Sequence, residues 1–222
     1  MASRIVRLGP FKPGLPTLEA GGSTVVTNAL PSVKGYKPLR SLEGLTSSIG
    51  APALGAVFAK ASNGETSGVA GTTADLFALS GSTGQWASSS RSEGYATAAG
   101  ERWRFAQFGD TLVATNYSDE IQALDLAVGG SWADLNPDDA PRARYIATVR
   151  EFLFTLNIVD QTGTKPNRAR WSAQGDPGSW PLPGTVEAKG VLSDKQDFND
   201  LGEGRGIVAG LTSGDVALFF DN

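Results

Sequence analysis

Histidine and cysteine are both absent from this chain. Without cysteine there are no disulfides and no thiolate metal sites, which leaves the redox compartment open. Without histidine, the commonest general base and the commonest metal ligand are missing together. No run of about 18 apolar residues is present to cross a membrane as a helix. The opening MASRIVRLGPF lacks the apolar core of a secretory signal. Stretches free of both glycine and proline are few, because the 222 residues include 28 glycines and 12 prolines. Long helices are therefore scarce, and the composition favours an all-β class. The length suffices for one large domain or two small ones with a substantial core.

What the chain does have is a repeat. The stretch Glu101–Leu135 opens with alternation: Trp103, Phe105 and Gln107 fall on one side, Arg102, Arg104 and Ala106 on the other. Gly109-Asp110 separates this run from TLVATN, and glycine supplies the positive φ of a tight hairpin turn. A third run, EIQALDL, leads through Gly129-Gly130 to a short fourth, SWADL. Four such strands make one antiparallel sheet. Asp75–Leu79 resembles Glu120–Leu124 about 45 residues later, and Trp86, Trp132 and Trp180 recur at similar intervals. Phe105…Thr115-Asn116 is echoed by Tyr145…Leu156-Asn157. A four-stranded unit repeating every 40–50 residues or so is the signature of a β-propeller blade.

In chain order, Pro10, Pro13 and Pro16 make residues 1–22 an extended segment. Thr24–Asn28 predicts a strand and Asn28–Ser32 a turn. Blades are expected at 53–90, 101–135 and 142–182, the last built from RARYIATV, EFLFTLN, NRARWSA and GSWPL. Tyr145, Val149, Phe152, Leu156 and Val159 also fit a helical stripe, but the crowding of β-branched and aromatic residues favours a hairpin. Residues 205–222 read as the first hairpin of a fourth blade, turning at Ser213-Gly214-Asp215. Ending on the apolar ALFFDN, the array is expected to be incomplete within this chain, or to have its edge covered by another subunit or by the arm. The expected division is a Pro-rich basic arm over 1–45 and a propeller-type domain over 46–222.

Charge is split along the chain. Residues 1–42 carry Arg4, Arg7, Lys12, Lys34, Lys37 and Arg40 against Glu19 alone, whereas the rest has 13 basic and 22 acidic residues. A basic arm on an acidic body is either a solvated terminus or a segment that docks on a neighbour or on nucleic acid. Arg4, Arg7, Phe11 and Lys12 are the candidate contact residues.

Other motifs bear on chemistry. Arg-x-Arg precedes an aromatic three times: Arg102/Arg104 before Phe105, Arg142/Arg144 before Tyr145, and Arg168/Arg170 before Trp171. On a strand, the two arginines share one face. They either form a basic stripe that touches phosphates or pair with acids on adjacent strands. Asp194, Asp197, Asp200 and Glu203 read as an acidic loop, without the donor spacing of a calcium loop. Gly202-Glu-Gly-Arg-Gly206 precedes a strand, not a helix, which argues against a nucleotide loop. Asp138-Asp139 reads as a turn before Pro141 and not as a glycosidase pair. Ser88-Ser89-Ser90 has no histidine to activate it. Trp86, Trp132 and Trp180 read as inter-blade core, with a sugar-facing row as the alternative.

Several segments occur together in order: WRFAQFGDTLVATNYSDEIQALD, APRARYIATVREFLF, RWSAQGDPGSW and SDKQDFNDLGEGRGIVAGLTSGDVALFF, with NALPSVKGYKPL upstream. Over residues 24–222 the chain resembles the tail-hub and nozzle β-propeller proteins of tailed bacteriophages, among them the packaged-DNA stabilisation and tail tubular proteins. The resemblance implies a virion structural protein of the tail with no enzymatic activity and no cofactor. It implies a homo-oligomeric ring, commonly a hexamer, beneath the portal and adaptor, through which double-stranded DNA is retained and delivered. In such a ring Arg102, Arg104, Arg142, Arg144, Arg168 and Arg170 become the candidate channel residues. A carbohydrate-binding or carbohydrate-cleaving propeller and a head decoration protein are the alternatives.

Overall fold

The computed structural model describes residues 10–12, 25–32, 35–39, 41 and 43–198, together with the backbone of strands at 207–212 and 216–220. The chain separates into two compact units, Met1–Leu45 and Thr46–Asn222. In the first, β1 (Ala29–Ser32) and β2 (Gly35–Pro38) pair antiparallel. The sequence places a turn over Asn28–Ser32, and here the structure differs. Asn28 takes the left-handed conformation at φ 54°, so the chain bends at that one residue and the strand begins at the next. Asparagine tolerates that region better than most residues.

The second unit is a β-propeller-like array of four-stranded antiparallel sheets. The first blade is β3 (Gly55–Lys60), β4 (Thr66–Gly71), β5 (Leu76–Leu79) and β6 (Trp86–Ser88). The second is β7 (Arg104–Phe108), β8 (Thr111–Thr115), β9 (Gln122–Asp125) and β10 (Ala133–Asp134). Both follow the expected boundaries closely, with each strand hydrogen-bonded to the next in sequence. Gly109, at φ 57°, turns β7 into β8, as the Gly-Asp pair predicts.

The third blade departs from expectation. Its first strands, β11 (Arg142–Val149) and β12 (Phe152–Asp160), form the hairpin favoured over a helix, and β13 (Gly163–Trp171) follows. The segment between EFLFTLN and NRARWSA, around Gly163 and Pro166, is not a loop but the start of β13. The fourth strand is not GSWPL. That segment is irregular, a five-residue helix, α1 (Val186–Gly190), comes next, and β14 (Asp194–Asp197) closes the blade. Thr185 caps the helix by accepting a hydrogen bond from the Ala188 amide at 3.1 Å. The presumed acidic loop is therefore partly a strand, for Asp194 pairs with Trp171 and Asp197 with Arg168 across the sheet. Beyond it, β15 (Ile207–Thr212) and β16 (Val216–Phe220) make the expected hairpin, while its turn residues lie outside the described ones.

The core lies between sheets. One cluster joins Ala59, Val69 and Leu76 of the first blade to Trp103, Leu112, Ala114, Leu124 and Trp132 of the second. The next joins Val113 and Ile121 to Ala143, Leu153, Ile158 and Trp180 of the third. Glycine makes the first junction possible: a Cβ on Gly71 would lie 2.2 Å from Trp103 Cδ1, and one on Gly55 2.3 Å from the Trp103 carbonyl. Trp103 completes the fit by donating its indole N–H to the Thr72 carbonyl at 2.7 Å. Turns are tied across the same junction, since Asp110 accepts from the Ser62 amide at 2.6 Å and Gln107 donates to the Lys60 carbonyl at 2.7 Å.

Candidate functional site

The six candidate channel arginines divide into two groups. Arg168 and Arg170 point from β13, an interior strand of its sheet, and are buried. Arg168 pairs with Asp197 through Nε and Nη2, and with Asp160 through Nη1 at 2.8 Å. Its hydrogen bond holds the Asp197 carboxyl below the ordinary carboxylate range against the opposing effect of burial, with Lys195 assisting. Among the described residues Arg170 has no carboxylate partner of its own. It donates to the carbonyls of Asp139, Trp180 and Pro181 at 3.1, 2.7 and 3.2 Å and lies over the Trp180 ring. Burial lowers its pKa, yet a guanidinium remains charged. Neither side chain is open to a ligand.

The other four lie near the first strands of the second and third blades. Arg142 donates to the Ser118 carbonyl at 2.9 Å. Arg144 pairs with Glu101 at 2.6 Å and lies over the Tyr117 ring, 4.6 Å from its centroid. Arg104 lies over the Tyr145 ring at 4.3 Å. Trp103 is responsible for this grouping. Its burial toward the first blade turns its neighbours Arg102 and Arg104 to the opposite side of the strand, by the period of two. Arg102, Arg104, Arg144 and Tyr145 thus share a recess of about 320 Å³ with Glu101, Ala99 and Gly100. A second recess, of about 340 Å³, adjoins it through Arg104 and Tyr145 and is lined by residues of β3, β7 and β11 with Leu156 of β12.

The remaining candidates are structural. Trp132 and Trp180 are 2% and 1% exposed within the inter-blade clusters, which removes them from any sugar-facing row. Trp86 differs from them: it is half-buried, and its indole N–H donates to Thr46 at 3.1 Å while its amide donates to Ser47. The Asp138-Asp139 amides both donate to Asn136 Oδ1, making a turn. Ser90 receives the Leu76 amide at 2.9 Å and contacts Asp75. No group of carboxylates suited to a metal ion occurs among the described residues. Phe11 and Lys12 are exposed, whereas Arg4, Arg7, Asp200, Glu203 and the Gly202–Gly206 run lie outside the described residues.

One constellation carries no sequence signal. Arg91, on the linker between the first two blades, pairs with Asp134 at 2.5 Å and Asp119 at 3.3 Å, and donates to the Gly94 carbonyl. Tyr95 beneath it donates to Gln122 at 3.2 Å, and burial pushes its phenol up to about 12. Asn116 completes the clamp, bonding Thr97 and Asp119. These groups fasten the linker to the second blade. No helix among the described residues is long and apolar enough to cross a membrane. No protein-family model matches the chain, and no curated protein matches it.

Proposed function

We propose that the chain is a structural subunit of a bacteriophage tail hub or nozzle, assembling with copies of itself into a ring around the path of packaged DNA. The observation that carries this reading is the serial order of its blade motifs, which resembles that of the tail propeller proteins. The chain follows that order as a row of four-stranded sheets. The use of Trp103, Trp132 and Trp180 in packing supports it further, because a sugar-recognising propeller needs such rings at its surface. On this reading the acidic body suits passage of DNA rather than a tight grip on it. The arm bearing Arg4, Arg7, Phe11 and Lys12 contacts neighbouring subunits or the adaptor and portal above.

The test is the native mass of the assembled protein together with negative-stain images. A closed ring of about six copies, with a hole wide enough for duplex DNA, is the expected result. A monomer that forms no ring even beside portal and adaptor overturns the reading, and glycan binding or glycosidase turnover would then support the carbohydrate alternative. Removal of residues 2–22 is expected to block tail assembly, and normal tails from that variant would remove the arm from the contact.

A further inference from the structure

We infer that the recess shared by Arg102, Arg104 and Arg144 binds a phosphate group. It holds three guanidiniums against the single carboxylate of Glu101, an excess of two positive charges in about 320 Å³. Two of the three, Arg102 and Arg104, are uncommitted, whereas Arg144 already pairs with Glu101. Arg91, Arg142, Arg168 and Arg170 each donate to named protein acceptors. Arg102 and Arg104, by contrast, make no ion pair or side-chain hydrogen bond among the described residues, and Arg144, like Arg170, keeps a buried Nε without an acceptor. Like charges gathered in one recess repel one another, and an anion placed between them reverses the sign of that interaction.

The geometry also prepares the donors. Arg104 lies on Tyr145 and Arg144 on Tyr117, with centroid distances of 4.3 and 4.6 Å. Stacking on a ring restrains the plane of a guanidinium while leaving its N–H edge open. An edge held in this way meets two oxygens at once, the fork geometry that arginine offers to carboxylate and phosphate. Three guanidiniums on two blades approach the recess from different strands, which suits the three acceptor oxygens of a phosphate better than the two of a carboxylate. That phosphate is either free in solution or part of a nucleic-acid backbone, and the site does not depend on the tail reading.

The experiment is calorimetric titration of the full chain, at low salt, with inorganic phosphate and separately with a short random-sequence DNA duplex. Arg102→Gln and Arg104→Gln are each expected to weaken binding about tenfold, the value of one charge-assisted hydrogen bond. Lys189→Gln, which removes the same charge from the helix in the third blade, is expected to change it less than about twofold. The thermal midpoint of each variant establishes that the fold is kept. Duplex binding lost in the arginine variants, with a salt slope reduced by about one per arginine, assigns the phosphate to nucleic acid. Phosphate bound without duplex assigns it to a free ligand. Binding of neither, unchanged affinity in both arginine variants, or an equal loss in Lys189→Gln overturns the site. Ring formation is read separately, so the two proposals fail independently.

Discussion

Arg168 and Arg170 on β13 and Arg102 and Arg104 at β7 share one sequence pattern and have opposite fates. On β13, flanked by β12 and β14, the pair is sealed beneath neighbouring strands and each guanidinium donates to protein oxygen. At β7, an edge strand of its sheet, the pair stays exposed and makes no ion pair among the described residues. The difference shows that spacing decides which residues share a face, and position in the sheet decides what that face meets. A buried guanidinium needs several acceptors, since desolvation costs more than one bond returns. At the edge, water meets that demand and the donors remain available.

Substitutions sharpen this contrast. Arg170→Ala is expected to cost about 3–5 kcal/mol in chemical denaturation, because three carbonyls, that of buried Trp180 among them, lose their donor and a cavity replaces the side chain. Arg168→Ala should cost about 3 kcal/mol, chiefly by leaving the Asp160 carboxylate buried and unpaired. Asp197→Asn has a smaller effect at neutral pH, about 1–2 kcal/mol, and a diagnostic one in acid. The folded-state pKa of Asp197 is depressed, so its stabilisation is present above the ordinary value of 3.8 and is lost as pH falls through and below it. The unfolding midpoint of the native chain should therefore drop more steeply below about pH 4 than that of Asp197→Asn. Arg104→Gln closes the series, with a change within about 0.5 kcal/mol. A loss as large as that of Arg170→Ala would mean that edge and interior positions are not distinct after all.

Where polar and apolar residues alternate and glycine marks the turns, the sequence was a sufficient guide. Both sides of β7 were legible: Trp103, Phe105 and Gln107 face the first blade, and Ala106 packs toward the third. The last strand of the third blade was not. Asp194–Asp197 reads DKQD, with nothing β-branched or aromatic, and it becomes a strand because β13 offers it an open edge and Arg168 a charge. Trp180 misled for a related reason. It repeats at blade spacing and enters the inter-blade core as expected, but from an irregular segment, since one buried ring needs no strand to carry it. The arginine recess was half legible, because the motif named the residues while their convergence depends on two strands meeting. The clamp around Arg91 and Tyr95 was invisible, being assembled from positions 91 to 134 with no periodicity to link them.

The placement of the core between sheets has a consequence for how the chain can be divided. Each of the two larger clusters draws its members from adjacent blades, so neither the first nor the second blade holds a complete hydrophobic core of its own. A protease cut in the linker between β6 and β7 would leave Val69 and Leu76 on one fragment and Trp103 and Trp132 on the other, each half facing water. Such fragments are complementary parts, not smaller proteins. Produced apart they should aggregate, and produced together they should find one another and restore the intact array.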